Sequence, residues 1–294
     1  MHFPGIIPAV TVPFTDDDAI DVAGLRDNVA FLLEHGVHGL VANGTMGEAG
    51  SLSPQERELV LATIVEAADG RVPVVAGVSA GNTAQACAYA AHARAAGANG
   101  VMCLPPLNYR GAEEELVAFY AAVAAAASLP VMLYNNPEAS GIDLRPEQIA
   151  RIAAEVDGVV AVKECSGDTR RIPALIDATD LEVLVGGDDW ALEGFAGGAS
   201  GWVSGVAVVT PALCVELQSL VEAGRLPEAR EVYQRLLPLA RLDMTPWLVQ
   251  YFKAAMDLVG LRGGPVRAPR QELSEGAREH VRECVERLGV PVVA

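Results

Sequence analysis

Two lysines occur in 294 residues, and one of them, Lys163, closes the apolar run Val159-Val160-Ala161-Val162 just ahead of Glu164 and Cys165. A primary amine among β-branched neighbours is costly to keep charged. Burial is therefore expected to lower its pKa and leave a nucleophile at neutral pH. That is the chemistry of an amine that condenses with a carbonyl group. Tyr134 ends a second apolar run, Val131-Met132-Leu133, and leads into Asn135-Asn136-Pro137. The segment Gly44-Thr45-Met46-Gly47-Glu48 carries two glycines that allow the backbone amides of Thr45 and Met46 to turn toward an anion.

A 2-oxo acid needs such a set. Its keto carbon must meet an amine, its carboxylate must meet N–H donors, and a nearby hydroxyl must deliver and remove protons at the carbinolamine. Tyr134 fits the last role, provided Thr45 orients its phenol. Each signal alone has an ordinary explanation: a hydrated lysine, a packed tyrosine, a plain glycine turn. Their joint placement at strand ends favours the chemical one.

The elements that must position these residues are short β-branched runs alternating with alanine-rich amphipathic stretches. Strands are expected at residues 6–12, 39–42, 72–75, 100–104, 131–134, 159–163, 182–185 and 201–203. Helices are expected at 21–35, 53–68, 83–96, 113–127, 145–155 and 169–178. Ser53-Pro54-Gln55-Glu56 reads as an N-cap serine, a proline at N1 and a glutamate at N3. Eight strand-helix units imply parallel strands with right-handed crossovers, which close most simply as a TIM (β/α)8 barrel of the α/β class. An open doubly wound sheet is the alternative, but no Gly-x-Gly-x-x-Gly follows the first strand. The barrel is assigned to residues 1–210. Residues 211–294 are assigned to a C-terminal helical region packed on it, with helices near 211–223, 227–239, 246–259 and 275–288. Active groups of such barrels come from the C-terminal ends of the strands, where Lys163, Tyr134 and the Gly44 loop all fall.

The 21 basic and 38 acidic side chains give a formal charge of −17, which argues against nucleic acid or an anionic membrane as partner. No apolar stretch is long enough to span a bilayer and no signal peptide is evident, so a cytoplasmic location is expected. Five scattered cysteines with no Cys-x-x-Cys pair signal neither a disulfide framework nor a zinc site.

At this point the residues carry a resemblance. The chain resembles the dihydrodipicolinate synthase and N-acetylneuraminate lyase family of class I, Schiff-base aldolases, from about Gly5 to the final helices. The matching pieces are Thr11-Val12-Pro13-Phe14, the Gly44 to Glu48 loop, Tyr134-Asn135-Asn136-Pro137 with Gly141, Val162-Lys163-Glu164, Gly187-Asp188-Asp189 and Gly201-Trp202-Val203-Ser204. The resemblance implies a lyase with a Lys163 imine to pyruvate or another 2-oxo acid, Tyr134 as acid and base, and Thr45 in the proton relay. It further implies carboxylate binding at the Thr45 and Met46 amides beside Gly44, a pocket lined by Gly187 and Val203, and a homo-oligomer, tetramer or dimer. No metal or organic cofactor is expected.

Departures bear on the substrate. The lysine-pathway synthase of the family usually has an arginine two residues after the proline of its Tyr-Asn-x-Pro motif, gripping a second carboxylate, where this chain has Ala139 after Glu138. It also places a tyrosine in the loop after strand four, for which Tyr109 stands in only with a shift of register, and Arg110 is a neighbouring positive charge. Met46 replaces a second threonine in the glycine loop. These differences favour a 2-oxo acid whose remaining part is neutral, hydroxylated or aromatic. Its cleavage, dehydration or deamination would run through the enamine, with the 4-hydroxy-tetrahydrodipicolinate synthase reaction as alternative. A barrel that only binds and a phosphate-binding barrel enzyme using the glycines near 186 and 197 are further alternatives.

Other candidates have simpler explanations. His35 and His38 have no third metal ligand. Asp188 and Asp189 are expected to cap the helix after strand seven. Lys253 is expected to face solvent or an inter-subunit contact from an amphipathic helix. Glu164 is expected on the opposite face of the strand from Lys163, and Glu48 is expected to anchor the glycine loop.

Overall fold

The computed structural model describes residues 3–293. Eight strands, Gly5–Pro8 (β1), Leu40–Ala42 (β2), Val74–Gly77 (β3), Gly100–Cys103 (β4), Val131–Asn135 (β5), Val159–Glu164 (β6), Glu182–Val185 (β7) and Gly201–Ser204 (β8), lie parallel, each beside its neighbour in sequence, with β1 also paired to β8. A parallel bridge between Ala9 and Val41 brings the first and second strands together, so the ring is a nearly closed (β/α)8 barrel, as expected.

The interior is filled by one apolar side chain from every strand: Ile7, Val41, Val75, Met102, Met132, Ala161, Leu184 and Val203. Period-two alternation then fixes what stands above this layer. On β6 Ala161 and Lys163 point inward, as does Cys165 just past its end, while Glu164 points out and accepts a hydrogen bond from Asn135 Nδ2 on β5 at 2.9 Å.

Between the strands run Val22–Glu34 (α1), Pro54–Ala68 (α2), Thr83–Ala95 (α3), Glu113–Ala127 (α4), Pro137–Ser140 (α5), Pro146–Glu155 (α6), Arg171–Ala178 (α7) and Ala191–Ala196 (α8). The Ser53 cap forms as read from sequence: its hydroxyl accepts from the Glu56 amide, and the Glu56 carboxylate accepts from the Ser53 amide at 2.8 Å. The single turn α5 was not anticipated; Asn136 caps it by accepting from the Ala139 amide at 3.0 Å.

After β8 come Pro211–Glu222 (α9), Leu226–Ala240 (α10), Leu248–Leu258 (α11) and Glu275–Leu288 (α12). Leu217, Leu236, Phe252 and Val285 from these helices share one apolar cluster with the barrel helices. Lys253 corrects the sequence expectation. It is 1% exposed, with Nζ 2.7 Å from Glu48 Oε1 and donating to the Pro265 carbonyl at 2.7 Å. Burial lowers its pKa, and the Glu48 carboxylate opposes the fall. An ammonium leaves solvent only when such partners replace water.

Candidate active site

At the C-terminal end of the strands lies a cavity of about 200 Å³. Lys163, Tyr134, Gly44, Thr45, Met46, Val203 and Ala139 from the sequence reading all line it, with Asn136, Glu138, Cys165, Gly186, Gly205, Asp243 and Thr245 among others. Tyr134 and Lys163 are register partners on β5 and β6. Both point inward, and the lysine Nζ lies 4.2 Å from the centre of the tyrosine ring. Each is nearly sealed from solvent, at 5% and 7% exposure.

The phenol oxygen accepts a hydrogen bond from Asn136 Nδ2 at 2.9 Å. Burial pushes the Tyr134 pKa above the ordinary value, while Lys163 and Asn136 pull against that rise. The phenol therefore stays protonated at neutral pH. Cys165, which approaches Asn136 Nδ2 at 3.6 Å, is a neutral thiol pushed by burial up to about 12.

Lys163 corrects a second expectation. Burial acts to lower its pKa, but Tyr134, Cys165 and Asp243 outweigh it and leave the amine above the ordinary lysine value. Among the described residues no carboxylate comes within ion-pair distance of the amine, and Asp243 acts on it across the cavity they both line. Burial raises the Asp243 pKa to about 6, against the pull of Lys163.

The Gly44 loop turns between two left-handed residues, Asn43 at φ 56° and Glu48 at φ 52°. Its carbonyls at Gly44 and Thr45 accept from Ala49 and Glu48, whereas the amides of Thr45 and Met46 donate to no acceptor among the described residues. Two unused N–H groups on the wall of the cavity that holds the amine are the kind of donor an anion can take. Glu48, fully buried, anchors the loop as read from sequence. Its carboxylate meets Lys253, the Arg267 amide at 3.1 Å and Arg270 at 3.5 Å. The Thr45 hydroxyl has no hydrogen-bond partner among the described residues, and the phenol is held by Asn136 instead.

Two named residues stand apart. Gly187 backs onto Trp190, where an added Cβ would sit 2.3 Å from the indole nitrogen, and its neighbour Gly186 lines the cavity. Tyr109 is half exposed and donates to Glu115 Oε1 at 2.9 Å, outside the cavity.

Asp188 does not cap its own turn. It accepts from Trp202 Nε1 at 2.9 Å and from the Gly205 and Val206 amides at 3.1 and 2.6 Å, fixing the exit of β8. Burial, with Asp243 beside it, raises its pKa. His35 and His38 spend a ring nitrogen on the Phe31 carbonyl and the Ile6 amide. Among the described residues no three His, Cys, Asp or Glu side chains are grouped to hold a metal ion, and no helix is long and apolar enough to cross a membrane.

The Dihydrodipicolinate synthetase family model matches residues 2–288. The chain belongs to this family. It is an enzyme, a lyase of the Schiff-base aldolase type. It is 38% identical over 289 residues to the 4-hydroxy-tetrahydrodipicolinate synthase of Methanopyrus kandleri, covering 97% of this chain and 96% of that protein. A crystal structure described as a putative dihydrodipicolinate synthetase from Pseudomonas aeruginosa superposes with a TM-score of 0.94 at 35% identity, over 98% of this chain and 100% of the other. A family member from E. coli K12, a prophage protein in complex with pyruvate, superposes with a TM-score of 0.93 at 27% identity, over 99% and 100%.

Asn136 and Asp243 were not singled out from sequence. Asn136 follows Tyr134 by two residues and was readable as its neighbour. Asp243 sits in a turn between α10 and α11, where helical periodicity carries no sign of a cavity.

Proposed function

We propose that Lys163 forms an imine with pyruvate or a related 2-oxo acid, and that the enzyme cleaves, joins, dehydrates or deaminates its substrate through the derived enamine. The substrate carboxylate binds the amides of Thr45 and Met46, beside Gly44 and over Val203. After the ammonium loses its proton, Nζ attacks the keto carbon, and the carbonyl oxygen takes the Tyr134 proton. The nitrogen, cationic after attack, returns one of its protons to the phenolate, and the phenol passes that proton to the carbinolamine hydroxyl, which leaves as water and gives a protonated imine. The imine draws in the electrons of the breaking C3–C4 or C3–H bond, giving the enamine. Protonation at C3 completes cleavage, attack of C3 on an aldehyde completes joining, and departure of a C4 hydroxyl or amino group, protonated as it leaves as water or ammonia, completes dehydration or deamination; hydrolysis of the imine then returns the amine. We assign Thr45 to the relay that reloads Tyr134, with its hydroxyl lining the cavity unpartnered. Ala139 borders the distal part of the substrate. The imine is the only covalent cofactor chemistry in this reading, and the enzyme works as a cytoplasmic homo-oligomer.

The observation that carries this reading is the Lys163 amine at 4.2 Å from the Tyr134 ring centre, in one cavity with two unpartnered amides. Borohydride reduction with pyruvate, followed by peptide mapping, tests it. An adduct on Lys163 is the expected result, and no adduct with any 2-oxo acid returns the protein to a barrel that only binds. The names of the curated relatives favour the 4-hydroxy-tetrahydrodipicolinate synthase reaction as second reading. It requires condensation of pyruvate with an aldehyde bearing a second carboxylate, which the assay follows directly.

A further inference from the structure

Asp243 belongs to the turn Arg241–Met244, a short 3-10 helix joining α10 to α11. Thr245 closes that turn by donating its hydroxyl to the Leu242 carbonyl at 2.8 Å. The turn delivers Asp243, Met244 and Thr245 to the cavity wall. Asp243 is held from behind, with Oδ2 accepting from the Asp188 amide at 3.3 Å. Oδ1 accepts from no group among the described residues. It lies beside Gly205, where an added Cβ would come within 3.1 Å of it. The carboxylate is thus fixed by one oxygen and has its other oxygen unspent.

The charges on the cavity wall are unequal. Among the described lining residues Lys163 is the sole cation, whereas Glu138 and Asp243 both supply carboxylates. The first carboxylate of a 2-oxo acid has two backbone amides to bind, and the lysine's charge stays at C2 on the protonated imine, away from the distal half of the substrate. No cationic side chain among the described lining residues is left over for a second carboxylate; Arg110 is spent on the Gly141 carbonyl at 3.2 Å at the rim, so a distal carboxylate would meet two like charges in a partly desolvated site. A hydroxyl or ammonium group, by contrast, is a donor that a fixed carboxylate oxygen accepts strongly.

We propose that Asp243 is the specificity-determining residue of this site, selecting 2-oxo acids whose distal half carries hydroxyl or amino donors and rejecting those with a distal carboxylate. The inference rests on the Lys163 imine, and its test separates the two. Imine formation is titrated by borohydride trapping with three probes: pyruvate, a six-carbon 3-deoxy-2-oxo sugar acid, and 4-hydroxy-2-oxoglutarate. Each half-trapping concentration is divided by that for pyruvate, so that any change at Lys163 itself cancels. In the wild-type enzyme the sugar acid is trapped at a concentration at least about tenfold below the dicarboxylate, the size expected for one charge-assisted hydrogen bond. In Asp243→Asn that preference shrinks by about tenfold. Asp243→Ser is read the same way should the asparagine variant fail to fold. An unchanged ratio in the folded variant, or a wild-type enzyme without preference, overturns the assignment while the imine stands. No trapping with any probe, pyruvate included, overturns the imine and the assignment with it.

Discussion

Asn136 donates to the Tyr134 phenol oxygen at 2.9 Å while its own side-chain oxygen accepts from the Ala139 amide at 3.0 Å. One residue therefore caps α5 and orients the group assigned to proton transfer. The two uses separate by substitution. Asn136→Asp keeps the cap acceptor and loses the N–H donor, whereas Asn136→Ala loses both. Since Asn136 pulls the phenol pKa down against burial, Asn136→Asp is expected to move the basic limb of the kcat/KM profile to higher pH. A fall in kcat of about tenfold should accompany it. A pH profile measured on both variants checks this, and a limb that stays in place in Asn136→Asp separates Asn136 from the phenol.

Removal of the phenol itself is the sharper test of acid-base catalysis. Tyr134→Phe preserves the ring beside Lys163 and deletes only the hydroxyl. Turnover is expected to fall by a factor on the order of 10² to 10⁴, with pyruvate still trapped on Lys163 at long incubation. Steady-state kinetics with a trapping time course measures both quantities. Unaltered kcat would remove Tyr134 from the proton path.

What was legible in the sequence follows from periodicity. The eight strands and the residues at their ends were readable because a strand buried on both faces is an apolar run, and a lysine or tyrosine closing it stands out. Asn136 and Ala139 came with the same strand end. Asp243 was not readable, because its place depends on how α10 and α11 cross the barrel mouth, and a turn between helices has no pattern that reports such a crossing. Lys253 misled for a related reason. An amphipathic helix shows which face is apolar, but not that a carboxylate from the distant Gly44 loop waits under it. The pKa of Lys163 also departed from the sequence argument, since burial was countered by Tyr134, Cys165 and Asp243, which only the tertiary fold gathers around the amine.

The buried pair of Lys253 and Glu48 gives a stability prediction with a functional edge. Lys253→Met removes the ammonium 2.7 Å from Glu48 Oε1 and leaves a fully buried carboxylate with the more distant Arg270 and the Arg267 amide. Breaking one side of such a pair costs about 3 to 5 kcal/mol. Urea unfolding should show that loss, and the double variant Lys253→Met with Glu48→Gln should recover much of it because the uncompensated charge is gone. Equal stability of the single variant and the wild-type enzyme would mean that Arg270 alone satisfies Glu48.

Glu56 links the α2 cap to the C-terminal segment and sets an acid-side pH dependence. Its carboxylate takes the Ser53 amide and meets Arg267 at 2.6 Å, which holds its pKa down at about 2. A carboxyl whose pKa is depressed on folding contributes fully above its unfolded value. That contribution fades as pH falls from about 4.5 toward about 2. The side chain is 29% exposed, so solvent screening reduces the contribution to about 1 to 2 kcal/mol. Glu56→Gln should therefore lower Tm at neutral pH and approach the wild-type value in acid. Thermal melts of both proteins from neutral pH downward measure the convergence, and a difference that stays constant below pH about 4.5 would assign the effect to cap geometry rather than to charge.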